Sequence, residues 1–384
     1  MTPFTMMKLA FYTIVPSPHQ FPLAREIVKR VGEENFRYVY LREMSADRAK
    51  LGWGIAGGMP SWCVAAATDE GRRWIETADV LVSGERDVAL FERRVKAGLK
   101  TIYSAERWFK PPTGILRMLH PRYFAMAWRF MRLVRKGSLT CLPMGVWAAR
   151  DLVRVERLFR GDARCLFRAP RLAFEARSMG VVEGCPWLHL WGYFVAASAR
   201  GERGPASARA QGRALRVLWV GRMLALKRVD TLFKASGAAL EKIPLELTVV
   251  GDGPERPRLE DLARRLSERH PGATVRLEHS VPIARVRELM AQNDVYVLSS
   301  NAYEGWGAVV SEALEEGMSV LGTCEAGSSA TILPRERLFR SGDAAALARL
   351  LEAEYDGRLP PCSISGWSAH DAAERLLEAA AESF

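Results

Sequence analysis

Two doubly wound α/β domains in a single chain are what this sequence predicts. Three observations carry that expectation. The length, 384 residues, suits two or three domains. Short apolar runs rich in β-branched residues alternate with stretches of helical periodicity. Between two such regions lies an Ala, Gly, Ser and Arg interval at 196–214 with no large apolar residue to anchor it, which reads as a linker.

In the first half, 8–14, 37–41, 80–83, 101–104 and 139–142 read as strands. In the second, apolar runs at 215–220, 245–250, 295–298 and 320–323 alternate with helical periodicity at 228–241, 256–269, 284–292 and 307–316. Short strands separated by helices of this length imply βαβ crossovers and a parallel sheet. The final helical stretch, 369–383, can pack on either domain, the N-terminal one included. The expected boundaries are an N-terminal domain at 1–200, a linker at 201–214, a C-terminal domain at 215–367 and a terminal helix at 368–384.

Composition narrows the function. Hydrophobic residues make up 48% and charged residues 26%, so a substantial core can be buried and disordered or fibrous classes are excluded. The six cysteines are scattered with no C-x-x-C pair, and the six histidines show no ligand spacing. A disulfide scaffold and a structural metal centre are therefore not expected. The apolar run 9–15 is short and lacks a cleavage site, so it reads as a buried strand. No window has the length of a membrane span. The expectation is a cytoplasmic protein.

The net charge of +11 is unevenly placed. Residues 1–210 hold 34 Lys and Arg against 19 Asp and Glu, while residues 211–384 hold 21 against 25. Between Glu106 and Asp151 there is no acidic residue and there are nine basic ones. Such a tract suits an anionic partner. Within it, 114–136 interleaves Phe124, Trp128 and Met131 with Arg122, Arg129, Arg132, Arg135 and Lys136. A helix of that pattern is expected to lie on an anionic membrane surface, peripherally on the inner face. The tract lacks a nucleic-acid motif, so nucleic acid is not an expected partner.

The chemistry concentrates in three turns that follow strands. After 295–298 comes Ser299-Ser300-Asn301-Ala302-Tyr303-Glu304-Gly305-Trp306-Gly307, running into a helix with Glu312 two turns in. Its place is the carboxyl edge of the sheet, where open α/β folds bind ligands. Gly305 and Gly307 admit a close ligand approach, the amides from Gly305 to Ala308 suit an anion, and Glu304 and Glu312 suit hydroxyls. After 215–220, Gly221, Arg222 and Lys227 combine a glycine turn with two cations, a pattern suited to a diphosphate. The third turn, Gly251-Asp252-Gly253-Pro254, follows 245–250. Two other motifs are declined: Gly52–Gly57 spells G-x-G-x-x-G but follows a polar stretch, and no G-x-S-x-G elbow exists.

Taken together, VGRM-x3-K, VVGDGPE and DVYVLSS-x3-EGWG-x4-E-x4-G over about residues 215–345 resemble the C-terminal domain of the retaining family 4 (group 1) glycosyltransferases. The resemblance implies a GT-B fold, in which two Rossmann-like doubly wound domains face each other across a cleft. It implies that Glu304 meets the transferred sugar and Glu312 the ribose, and that Arg222 and Lys227 neutralise the diphosphate. Gly221, Gly251, Gly253, Gly305, Trp306, Gly307 and Ala308 would complete the donor site. No metal or other cofactor is implied, the nucleotide-diphosphate-sugar being a substrate. Departures from the pattern are Ser299 and Ser319 where proline is usual, and His279-Ser280 where glycine is common.

In the first half, SPHQ, SAERWFK and WGYF resemble a subset associated with bacterial surface polysaccharides, which implies a glycan or lipid-linked glycan acceptor. His19 or Gln20 would then touch substrate, as would Glu106-Arg107. Alternatives left open are a GT-B nucleotide-sugar epimerase and an inactive, membrane-associated saccharide-binding protein.

Overall fold

A computed structural model describes residues 7–45, 58–168, 180–182, 184–195 and 212–381. The declined Gly52–Gly57 motif and most of the linker lie outside them. The chain divides into two units, Met1–Ala197 with Gly366–Phe384, and Ser198–Ser365.

The first unit is built on an eight-stranded sheet. Its elements are β1 (Leu9–Thr13), α1 (Phe21–Val31), β2 (Phe36–Tyr40), β3 (Cys63–Ala65), α2 (Asp69–Thr77), β4 (Val80–Ser83), α3 (Val88–Lys96), β5 (Lys100–Ala105), α4 (Pro121–Arg135), β6 (Thr140–Pro143), α5 (Val146–Phe159), β7 (Gly180–Val182) and β8 (Cys185–Leu190). The order is β3-β2-β1-β4-β5-β6-β8-β7, parallel except where β7 runs antiparallel to β8. The central strands β1 and β4 are buried on both faces, as a sheet covered by helices requires. Helix starts follow the sequence: Thr68 accepts the Gly71 amide at 3.0 Å and Asp87 the Leu90 amide at 3.0 Å. Beneath the helices, Phe91, Tyr103, Trp108 and Phe130 pack edge to face or tilted, with centroids 5.0–6.4 Å apart.

The second unit has six strands: β9 (Leu215–Val220), β10 (Leu245–Val250), β11 (Thr274–Glu278), β12 (Val295–Leu298), β13 (Ser319–Thr323) and β14 (Leu338–Phe339). Around them lie α6 (Val229–Leu240), α7 (Arg256–Arg269), α8 (Ile283–Gln292), α9 (Val309–Glu315), α10 (Gly327–Ile332) and α11 (Ala344–Tyr355). All pairs are parallel in the order β11-β10-β9-β12-β13-β14. The winding reverses between β9 and β12, and the loops that follow these two strands leave side by side at the carboxyl edge. The core beneath is Val217, Trp219, Leu247, Val249, Val297 and Leu321 on the sheet against Leu232, Phe233, Leu347 and Leu351 on helices.

The terminal helix α12 (Ala369–Ala381) packs on α1, with both in the first unit. Leu376 and Leu377 are buried, and His370 Nδ1 lies 2.8 Å from Arg30 Nη2. Just before it, Trp367 stacks on Phe194 at 6.0 Å, and Phe194 meets Trp191 edge to face at 4.7 Å. The WGYF segment thus has a packing role. Leu376→Ala is expected to cost about 2–5 kcal/mol by leaving a cavity, whereas exposed Glu378→Ala should change stability by less than about 0.5 kcal/mol. Urea unfolding of the two variants measures the difference.

Candidate functional site

The second unit's switch point sets the geometry. The loop after β9 and the loop after β12 leave adjacent strands at the carboxyl edge, and hydrogen bonds tie them together. Asn301 N donates to Leu226 O at 2.8 Å, and Ser299 Oγ donates to Lys227 O at 2.7 Å. These contacts place Lys227 Nζ 2.5 Å from Glu304 Oε2. Both side chains are largely buried, with 19% and 14% of their surface exposed. A charged pair so screened from water costs about 3 kcal/mol or more to break by removing one partner.

Beneath the pair lies Tyr296 of β12, which the motifs do not signal. It is buried, and its hydroxyl donates to Val220 O at 3.2 Å. Burial first, then the charges of Glu304 and Glu312, pushes its ionisation well above the ordinary range, so it stays a neutral donor. Arg228 follows Lys227 with φ 48°, in the left-handed region that few non-glycine residues occupy. Its guanidinium binds Asp230 at 3.1 Å and lies where a side chain at Gly342 would crowd it.

The Glu304–Gly307 segment is stitched to α10. Gly327 N donates to Gly305 O at 2.9 Å, Ser328 N to Trp306 O at 2.8 Å, and Ser328 Oγ to Gly307 O at 2.9 Å. Carbonyls are used in this way, whereas the amides of Gly305, Gly307 and Ala308 donate to no backbone carbonyl among the described residues. Gly307 needs its freedom, since its φ is +84°. Trp306 is buried, so its indole supports the loop from below. One expectation needs correction: α9 begins at Val309, which puts Glu312 in its first turn and not two turns in. Residues 307 and 308 stay outside the helix because Gly307 turns the chain there.

The remaining expected contacts are more dispersed. Arg222 is exposed, with no ion pair among the described residues. Gly251 and Gly253 have a packing reason: a Cβ on Gly251 would lie 1.9 Å from Gly221 O, and one on Gly253 2.5 Å from Met223 O. The two glycine turns are therefore pressed backbone to backbone, joined by Met223 N to Asp252 O at 2.8 Å.

In the first unit, His19 is partly exposed after β1, with its ring 6.1 Å from Tyr193. Burial and then the charge of Glu106 hold the Tyr193 hydroxyl protonated beyond the ordinary range. Glu106 binds Lys110 at 2.5 Å, and Gln20 accepts from the Tyr38 hydroxyl. The loops after β1, β5 and β8 thus bring these side chains to one sheet edge.

The basic tract also divides. Along α4, Phe124 and Trp128 are exposed, at 45% and 44%, together with Leu116 and Leu119 just before it. Met131 belongs instead to the core with Phe130 and Val134, correcting the expected face. Arg129 is bound by Glu92, and Arg135 reaches Glu156 O at 3.1 Å. Arg132 lies over the Trp128 ring at 4.7 Å.

Comparison with known proteins adds a family-model match to the second unit and a fold. The family model "Glycosyl transferases group 1" matches residues 214–355. No curated protein matches the chain by sequence. Among solved structures, HepE of Anabaena in complex with UDP is similar at a TM-score of 0.61, with 13% identity over 97% of this chain and 99% of that one. The E. coli trehalose-6-phosphate structure bound with UDP-2-fluoro glucose gives 0.60, with 10% identity over 97% and 98%. The lipopolysaccharide outer core galactosyltransferase WaaB in its apo form gives 0.60, with 14% identity over 97% and 99%. At such identities the likeness establishes the fold, which is GT-B.

Asp252 supplies a pH test of the site's frame. The Ser280 amide first, at 2.8 Å, and then His279 at 2.7 Å hold its carboxyl at about 2, below the ordinary 3.8. The stabilisation is therefore present above about pH 4 and lost as pH falls toward about 2. Asp252→Asn should melt earlier than wild type near about pH 6, and the gap should shrink to roughly a third near about pH 2.5. An equal gap at both values would count against these contacts.

Proposed function

We propose that this protein is a retaining glycosyltransferase of family 4 that moves a hexose from a nucleotide-diphosphate-sugar to a glycan or lipid-linked glycan in surface-polysaccharide synthesis. The observation that carries the reading is Lys227 held at 2.5 Å on Glu304 at the switch point, with Glu312 one helical turn beyond and unused amides beside it. A diphosphate entering there would take Lys227 from Glu304, and Arg222, exposed on the same loop, would supply a second cation. Glu304 would then be free to accept hydroxyls of the transferred sugar. With two cations available, the reading needs no metal.

In the proposed step, the bond between the sugar's anomeric carbon and the phosphate oxygen breaks. The acceptor hydroxyl oxygen bonds to that carbon on the same face, and its proton passes to the departing phosphate. The products are a glycoside and a nucleoside diphosphate. The surface-polysaccharide role has support from the SPHQ and SAERWFK segments and from WaaB, a lipopolysaccharide galactosyltransferase. In the first unit, the reading gives the edge with His19, Tyr193 and Glu106 to the acceptor.

A thermal-shift screen over UDP-, GDP- and ADP-sugars tests the donor. A ligand at about 100 times its dissociation constant adds about 2.7 kcal/mol, so one base should raise the melting temperature and the others should not. Lys227→Ala and Arg222→Ala should each lower turnover about 100-fold, matching about 3 kcal/mol for a lost electrostatic contact. Glu304→Gln should impair transfer with the fold intact. EDTA should leave activity unchanged; loss restored by Mg²⁺ would contradict metal independence. A product screen that finds a free epimer in place of a new glycoside would favour the epimerase reading.

We also propose that the surface of Leu116, Leu119, Phe124 and Trp128, with Arg117, Arg122, Arg132 and Lys136, rests on an anionic bilayer. No described helix is long and apolar enough to cross a membrane. Each basic side chain near an anionic leaflet contributes about 1 kcal/mol, and the inserted apolar groups add attraction that salt does not screen. Vesicles containing phosphatidylserine should sediment the protein at low salt, and phosphatidylcholine vesicles should not. Changing Arg122, Arg132 and Lys136 to Glu, with Arg129 and Arg135 spared for their internal contacts, should abolish the sedimentation.

A further inference from the structure

The first sheet has a switch point of its own. Its order sets β1 beside β4, with β2 and β3 following on one side and β5 and β6 on the other. The loops after β1 and β4 therefore start from adjacent strands, where open α/β sheets receive ligands. Tyr12 pairs with Ser83, and Ser83 with Tyr103. The next row across the sheet is Thr13, Gly84 and Ser104, which share one face.

Packing does not account for two features of that row. Ser104 is 2% exposed and its Oγ has no hydrogen-bond partner, although a buried hydroxyl left unpaired costs stability. Between Ser104 and Thr13, Gly84 leaves a notch. Chain neighbours aside, a Cβ there would meet only backbone, 3.6 Å from Ser104 O and Tyr12 O and 4.0 Å from Thr13 Cα. Those are ordinary contacts, so the sheet itself does not demand glycine.

Polar groups gather on the same face. Thr13 Oγ1 donates to the Tyr38 hydroxyl at 3.1 Å, and that hydroxyl donates to Gln20. The Tyr193 hydroxyl lies within electrostatic reach of Glu106 and Tyr38. Hydroxyl, amide and carboxylate groups beside an unfilled space suit the hydroxyls of a sugar.

We propose that the notch at Gly84 receives a hydroxyl of a neutral pyranose, with Ser104 Oγ as its hydrogen-bond partner. That the pyranose is an acceptor rests on the reading of the first unit as the acceptor-binding half. Its binding is measured without nucleotide or transfer, so the two can fail separately.

The test is a ligand-detected NMR titration of the full chain with the methyl glycosides of glucose, galactose and mannose. At least one should bind the wild type. Gly84→Ala, which fills the notch at ordinary contact distances, and Ser104→Ala should each weaken that glycoside about 10-fold or more. Both should leave nucleotide-sugar binding unchanged. Ser104→Ala should melt no lower than wild type, because its hydroxyl has no partner to lose, which separates lost binding from a lost fold. Failure of all three glycosides to bind the wild type would overturn the proposal. So would wild-type affinity in either variant, which would leave an ordered water as the occupant of the notch. Binding that both substitutions weaken, with no transfer to the bound sugar, would uphold the subsite and count against the transferase reading alone.

Discussion

The ion pair between Lys227 and Glu304 is the contact on which the second unit's site depends. It forms because β9 and β12 are neighbours at the point where the sheet reverses its winding, so their loops leave side by side. Every nearby device serves that approach. Ser299 holds the Lys227 carbonyl, Asn301 the Leu226 carbonyl, and Ser328 anchors the far side of the glutamate loop. A lysine and a glutamate held in contact with most of their surface covered store an interaction that an incoming anion can exchange for its own.

The first unit is arranged on a different principle. Its sheet edge carries polar side chains from several loops, while the rigidity comes from buried aromatics and from the chain's end. Trp367 and α12 return to cover Phe194 and α1, so residues far apart in sequence close a single core. Asp151 plays the connecting part at the edge, binding the Phe109 amide and Arg107 together. Burial raises its ionisation in spite of Arg107 and the Phe109 amide.

Much of this was legible from the sequence, for physical reasons. Val80–Ser83, Leu215–Val220, Leu245–Val250 and Val295–Leu298 have buried residues on both faces and read as mainly apolar runs. Strands at or near the edges were not: Thr274–Glu278 is half-exposed, Leu338–Phe339 is two residues long, and Cys185–Leu190, one in from the edge, carries a proline and a histidine. In the site, Arg222, Lys227, Glu304 and Glu312 stood out because charge beside glycine after a strand is a local pattern. Tyr296 did not, because a tyrosine in a core strand looks like packing. The backbone contact of Gly251 with Gly221 was hidden too, since the two loops meet only once the strands pair. The acid-free tract read as one surface, yet Arg129 and Arg135 pair with Glu92 and Glu156.

The central claim is that Glu304 holds Lys227 in the place a diphosphate would take. Calorimetric titration of UDP into the wild type, Glu304→Gln and Lys227→Met tests it most directly. Removing the competing carboxylate should tighten UDP binding, and removing the cation should weaken it about 10-fold or more, equivalent to about 1.4 kcal/mol. Weaker binding in Glu304→Gln, or unchanged binding in Lys227→Met, would contradict the account.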